Sequence, residues 1–339
     1  MKKRGRSFII AEAGVNHNGA LSTARTLVRE ARRAGADAVK FQTFKADRLV
    51  SRVLEKAEYQ KKVTGAAETQ HAMIRRLELG IDAHRELVRF CRSQRIMFLS
   101  TPFDEESADL LESLDVPLFK IGSGDLTNLP LLRHVARKMR PLILSTGMAI
   151  LGEVEEALET VYTTGNREVT LLHCVTEYPA PPDEINLRAL DTMRRAFAVP
   201  VGYSDHTDGI EIAVAAVAMG ASVIEKHFTL DRDSEGPDHR SSLEPAMFRA
   251  MVLAIRNVEA ALGDGIKKPA PCEIKNIPIA RRSLVTVKAI RKGQVITRDL
   301  LAVKRPGCGI APGDLEKVIG LRVKRAIPAD HVITWQDIV

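Results

Sequence analysis

Three sets of polar residues stand at or near the ends of apolar, strand-like runs, and each set suggests its own chemistry. His206 and His227 each share a face with a polar residue two positions earlier, Ser204 and Glu225, because side chains alternate along a strand. A single histidine is usually a hydrogen-bonded structural residue. Two imidazoles at neighbouring strand ends, with positions left for water or substrate oxygens, suit a divalent transition metal such as manganese, zinc, iron or cobalt. Lys40, Thr101, Lys120, Ser123, Ser145 and Ser204 come from five different runs and read together as an anion site. The lysines supply point charge, and the hydroxyls donate to phosphate or carboxylate oxygens. Serine and threonine also cap the helices that follow strands, and the two roles are compatible. Glu12 and Glu225 are candidates for binding sugar hydroxyls or moving a proton. Asp205 is an alternative acid, but alternation turns it away from His206. Lys226 points away from Glu225 and His227 and reads as a lysine snorkelling between strand and helix.

These residues need a scaffold that gathers strand ends. Runs at Phe8–Gly14, Ala38–Phe44, Met97–Phe103, Leu118–Gly124, Leu142–Met148, Val169–Tyr178, Val201–His206 and Ser222–Thr229 alternate with helical patterns, the last at Glu244–Leu262. Eight βα units in series predict a closed parallel (β/α)8 TIM barrel, whose active site lies at the C-terminal ends of the strands. About 40 residues, Lys45 to Asp82, follow the second run, and βα loops of that length are often functional. The pattern changes after Gly263. Lys267-Lys-Pro-Ala-Pro signals a linker. The stretch Ala280–Val339 carries short β-like pieces at Ser283–Lys288, Gln294–Ile296, Leu300–Lys304 and Val332–Thr334. The expected division is a barrel over 1–265, a linker over 266–279 and a small β-rich domain over 280–339. A domain of about 60 residues is marginal alone and should pack on something larger.

The net charge is +7, from 50 basic and 43 acidic residues. Arginines are scattered along helices and aromatics are 4%, so the excess reads as a solvated surface suited to anionic substrates rather than a nucleic-acid face. No apolar run approaches the roughly 18 residues of a membrane span. The apolar stretch after the basic start is too short for a signal-peptide core. A cytoplasmic protein without membrane contact is expected. Cys91, Cys174, Cys272 and Cys308 show no C-x-x-C pairing and read as free thiols.

Several segments together resemble the N-acetylneuraminate synthase family: Ala11-Glu-Ala-Gly-Val-Asn-His-Asn-Gly, Val39-Lys-Phe-Gln, Leu99-Ser-Thr-Pro-Phe, Lys120-Ile-Gly-Ser-Gly, Leu144-Ser-Thr-Gly-Met, Gly202-Tyr-Ser-Asp-His-Thr, Glu225-Lys-His-Phe-Thr and Gly236-Pro-Asp-His. Val303-Lys-Arg-Pro-Gly resembles its C-terminal antifreeze-like (SAF) domain. The resemblance implies a synthase that condenses phosphoenolpyruvate with an N-acylated amino sugar and water, releasing phosphate. N-acetylmannosamine is the first expectation for the sugar. A diacetamido-trideoxyhexose, giving a legionaminic or pseudaminic acid, is the alternative. It also implies a divalent metal, most often manganese, with magnesium or cobalt as alternatives, on His206 and His227. Phosphoenolpyruvate contacts would come from Lys40, Thr101, Lys120, Ser123, Ser145 and Ser204, and sugar-side contacts from Glu12, Gln42, Tyr178, Glu225 and Asp238. Arg305 would reach into the partner's barrel in a domain-swapped homodimer. Two departures bear on the sugar: Phe41 stands where some members have histidine, and no sugar-contacting asparagine can be placed in the loop around Thr64–His71. The rival readings are a Schiff-base aldolase using Lys120 or Lys226 and a non-enzymatic binding module.

Overall fold

The computed structural model describes residues 5–53 and 68–339. It divides into two compact units, 1–264 and 265–339.

In the first unit eight parallel strands form one sheet: β1 (Phe8–Gly14), β2 (Ala38–Thr43), β3 (Met97–Pro102), β4 (Phe119–Ile121), β5 (Leu142–Ser145), β6 (Val169–His173), β7 (Val201–Asp205) and β8 (Val223–His227). Their order is β3-β2-β1-β8-β7-β6-β5-β4. The end strands β3 and β4 lie against each other, so the sheet curls into a nearly closed TIM-like barrel. The covering helices are α1 (Leu21–Ala34), α4 (Ile81–Gln94), α5 (Glu105–Ser113), α6 (Leu129–Ala136), α7 (Leu151–Tyr162), α8 (Ala189–Phe197), α9 (Glu211–Ala218) and α10 (Pro245–Ala261). Between β2 and α4 lie two further short helices, α2 (Ala46–Leu49) and α3 (Gln70–Arg76).

Local sequence accounts for several boundaries. Asp104 caps α5, its Oδ1 accepting from Ser107 N at 2.8 Å, and Asn128 caps α6. Gly35 ends α1 at φ 92°, where a side chain would be strained. Strand alternation then sorts the residues into two cores. Outward-facing positions such as Ile9, Ala11, Val39, Phe41 and Leu144 pack under the helices. Inward-facing Ile10, Ala38, Leu99, Ile143, Leu172 and Val223 fill the barrel interior, with Phe8, Met97 and Leu118 beside them. The next inward position on most strands is polar, and there the site begins.

The second unit holds its own core of Leu284, Ile290, Ile296, Leu300, Ile310, Val318, Val323, Ile327, Ile333 and Ile338. Its ladder is the antiparallel pair of β9 (Ser283–Thr286) and β10 (Leu301–Lys304). The β-like pieces expected at Gln294–Ile296 and Val332–Thr334 enter as single bridges, Val295 to Arg322 and Val332 to Val285. Among the described residues, no helix is long and apolar enough to cross a membrane.

Candidate active site

Thirteen of the fourteen sequence-derived site residues line one cavity of about 340 Å³ at the C-terminal ends of the strands: Glu12, Lys40, Gln42, Thr101, Lys120, Ser123, Ser145, Tyr178, Ser204, His206, Glu225, His227 and Asp238. The fourteenth, Arg305, belongs to the second unit. It is exposed after β10, and its Nε donates to Ala280 O at 3.1 Å.

The floor is a buried quartet of two lysines and two glutamates. Lys40 Nζ lies 2.5 Å from Glu12 Oε2 and 3.7 Å from Glu225 Oε2. Lys120 Nζ lies 3.6 Å from Glu225 Oε1. Hydroxyls surround them: Lys40 donates to Thr101 Oγ1 at 3.0 Å and Lys120 to Ser145 Oγ at 2.7 Å. Ser204 donates to Glu225 Oε1 at 3.0 Å. Four charges this deep are tolerable because they neutralise one another. Environment separates the two acids. Burial pushes Glu12 up to about 7, against the pull of Lys40. Burial would also raise Glu225, but Lys120 and Lys40, with the Ser204 hydroxyl, hold it down at about 2. Lys40 is raised: burial disfavours its charge, but Glu12 and Glu225 outweigh burial. Lys120 is lowered, chiefly by burial.

Beside the quartet stand the histidines, their ring centroids 5.5 Å apart. His206 Nδ1 donates to the Val175 carbonyl at 2.6 Å, so in the neutral ring Nε2 carries the lone pair. That nitrogen lies 3.4 Å from Ser204 Oγ. His227 Nδ1 is buried without a hydrogen-bond partner. Burial lowers both rings, and His227 well below the usual range, with His206 adding to the effect. Two neutral imidazoles, one with a backbone-fixed tautomer, fit a transition metal. Among the described residues no group of three or more His, Cys, Asp or Glu gathers that could hold a metal. A metal held by His206 and His227 would need water or substrate oxygens to complete its coordination.

Tyr178 packs on this pair, 4.2 Å from His206 and edge-on to His227 at 5.5 Å, centroid to centroid. It is not on a strand. β6 stops at His173, and the loop with the cis Tyr178-Pro179 bond carries the tyrosine over the mouth. Ser123 likewise sits in a short turn beyond β4, where Gly147 N donates to its Oγ at 3.0 Å.

Other strand-end residues face the helices. His173 Nε2 donates to Ile185 O at 2.7 Å. Thr43 and Ser100 hydrogen-bond each other and, through Thr43, His84. The snorkelling reading of Lys226 fails. The residue is buried, with Nζ 2.8 Å from Asp205 Oδ2 and 2.5 Å from Thr207 O. Asp205 also accepts from Thr207 N and Oγ1. Asn16 and His17, in the first motif, are structural: Asn16 Nδ2 ties that loop to Phe228 O and Ser242 Oγ, and His17 Nδ1 accepts from Gly19 N.

The structure adds residues that sequence reasoning missed. Cys174 lines the cavity, with Sγ 3.0 Å from Ser123 Oγ. The alternation Leu172, Cys174 held that signal. Apolar residues from the β2–α4 connection also line the cavity, including Leu49, Met73, Ile74 and Leu77. No strand periodicity pointed to them. The part of the loop reading at Thr64–Ala67 lies outside the described residues; His71 is buried and hydrogen-bonds Asp47.

A model of the NeuB family matches residues 27–267, and one of the SAF domain matches residues 281–339. The chain belongs to the NeuB family, a family of nonulosonic acid synthases. Among NeuB relatives, an N,N'-diacetyllegionaminic acid synthase of Campylobacter jejuni is 50% identical over 330 residues, covering 97% of this chain and 99% of the relative. Another of that name from Legionella pneumophila is 46% identical over 345 residues, covering 100% and 97%. The solved structure of a Bacillus subtilis spore coat polysaccharide biosynthesis protein superposes with a TM-score of 0.65 at 38% identity, covering 99% of this chain and 96% of that one.

Proposed function

We propose that this NeuB enzyme condenses phosphoenolpyruvate with a diacetamido-trideoxy sugar and water, giving an N,N'-diacetyllegionaminic-type acid and phosphate. One observation carries the reaction class: a cradle of two lysines and four hydroxyls shares a cavity with two neutral histidines. The sugar rests on the names of two relatives at 50% and 46% identity. That support places the diacetamido sugar ahead of N-acetylmannosamine, the first expectation from sequence.

The chain's residues divide the work as follows. Lys40 and Lys120, with Thr101, Ser123, Ser145 and Ser204, bind the phosphate and carboxylate of phosphoenolpyruvate and offset their charge. With both glutamates ionised the quartet is neutral, so the incoming anion competes with Glu225, and with Glu12 when it has lost its proton, for the lysines. His206 and His227 would hold a divalent metal, manganese or another transition ion, which when bound would supply Lewis-acid polarisation of a sugar aldehyde. Tyr178, Gln42 and Asp238 position the sugar. C3 of phosphoenolpyruvate forms the new bond to the sugar C1, water adds at C2, and phosphate leaves with its bridging oxygen. Glu12, poised near 7, takes or gives the hydroxyl proton. Glu225 stays a carboxylate and anchors Lys120 and Ser204. Arg305 and a domain-swapped homodimer belong to the proposal through the family resemblance, and a cytoplasmic location through the sequence reading.

The test is phosphate release from phosphoenolpyruvate with manganese and each sugar, beside a chelator control. Release that needs both metal and the diacetamido-trideoxy sugar supports the reading. Faster release with N-acetylmannosamine reassigns the product, and silence with both sugars sinks the reaction. Burial lowers Lys120 as a Schiff-base lysine would need. Borohydride trapping with pyruvate separates the two readings: a synthase stays unlabelled, and a labelled Lys120 would make the protein an aldolase.

A further inference from the structure

The cavity is chemically two-sided. The charged quartet, from β1, β2, β4 and β8, forms the floor, and the histidines stand at the ends of β7 and β8. Phe44, Leu49, Met73, Ile74, Leu77 and Phe103 also line it, from beyond the ends of β2 and β3 and from the connection after β2. Apart from Met73, which is itself buried, these residues pack with Val15 as one apolar cluster. Phe44 and Phe103 meet edge to face at 6.1 Å. Much of this wall is not part of the barrel frame. Leu49 ends α2, and Met73, Ile74 and Leu77 come from α3 and its C-cap. Gln70, Met73, Ile74 and Leu77 fall at i, i+3, i+4 and i+7, so one helical face is turned to the cavity.

We propose that this wall reads the end of the sugar remote from its aldehyde and selects for methyl groups there. The proposal rests on the functional reading above. The aldehyde must lie near His206 and His227 and over the anion cradle, so the far end of the chain is directed across the cavity to α2 and α3. A sugar methyl or acyl methyl leaves water for this wall at a gain. A hydroxyl in its place would lose its water partners against side chains that cannot replace them. An apolar pocket discriminates against one added hydroxyl by on the order of a hundredfold.

The experiment measures kcat/KM at saturating phosphoenolpyruvate for a diacetamido-trideoxy sugar and for N-acetylmannosamine. It uses the full-length metal-loaded enzyme, Ile74→Ser and Leu49→Ser. Removing a wall side chain on either helix should lower the ratio of the two values about tenfold, the worth of roughly two buried methylenes. The KM for phosphoenolpyruvate should stay within about twofold, because neither residue touches the cradle. Equal losses with both sugars, or a ratio unmoved in both variants, would overturn the proposal while leaving the reaction and its substrate intact. A wild-type ratio below one would instead sink the choice of sugar, and the wall's selectivity with it. Because the two positions lie on separate helices, misfolding of one segment cannot mimic a shared change in ratio.

Discussion

Replacing Lys226 with methionine should destabilise the barrel severely without touching the cavity. Lys226 and Asp205 side chains are both fully buried, 2.8 Å apart, on the helix side of β7 and β8. Burial lowers Lys226 and Asp205 opposes that, so the ammonium is held chiefly by this one carboxylate and the Thr207 carbonyl. Lys226→Met leaves the Asp205 carboxylate buried without its ammonium, with Thr207 N and Oγ1 still donating to it. Breaking one side of a buried pair costs about 3–5 kcal/mol. For a unit of this size that corresponds to a fall in Tm of roughly 6–20 °C. The double variant Asp205→Asn/Lys226→Met removes both charges and keeps an Oδ1 acceptor for Thr207. It should recover most of the loss. Thermal unfolding followed by circular dichroism gives both numbers, and 1 M salt should barely change the gap, because a buried pair is little screened. A single-variant loss under about 1 kcal/mol, or a double variant no better than the single, would refute the claim that uncompensated charge is what costs stability there.

Gly147→Ala should weaken phosphoenolpyruvate binding, because a Cβ there would lie 2.3 Å from Thr176 Oγ1, 2.8 Å from Ser123 Oγ and 3.0 Å from Cys174 Sγ. Overpacking of that kind costs about 1–3 kcal/mol, so KM should rise roughly tenfold or more in steady-state assays. Glu12, raised by burial, holds a proton in the folded chain that the unfolded chain has lost between pH 4.5 and about 7. Its contribution to stability is therefore greatest in acid and is lost as pH rises through that window. Glu12→Gln should flatten that part of the profile in urea titrations at several pH values, and parallel profiles would contradict the placement of its proton. His206→Ala should abolish metal-dependent turnover and lower metal retained after gel filtration, with circular dichroism unchanged; an active metal-free variant would end the metal assignment.

Alternation along the strands made most of the site legible, because burial on both faces forces a strict two-residue period. Lys40 with Gln42, Ser204 with His206 and Glu225 with His227 share the inward face as their spacing requires, and Asp205 and Lys226 share the outward one. What alternation cannot show is where a strand stops. β6 ends five residues before Tyr178, so a loop and not a pleat sets that side chain. Nor could parity show that Lys226 ends on Asp205 rather than in water, since that depends on the length of a side chain and a carboxylate from the next strand. The apolar wall was invisible for another reason. Its members lie on two short helices and two strand ends, and nothing in one dimension joins Leu49 to Phe103.

The apolar layer of Ile10, Ala38, Leu99, Ile143, Leu172 and Val223 closes the barrel beneath the quartet. It makes the cavity a blind well, and a blind well imposes traffic rules. On the proposed placement, with the anion cradle at the bottom and the sugar above it, phosphoenolpyruvate would have to enter first, and a sugar that arrived early would block its path. Phosphate set free at the bottom would have to wait for the longer product to lift off above it. The same plug that stabilises the barrel thus predicts ordered kinetics, with inhibition by excess sugar and phosphate as the last product out.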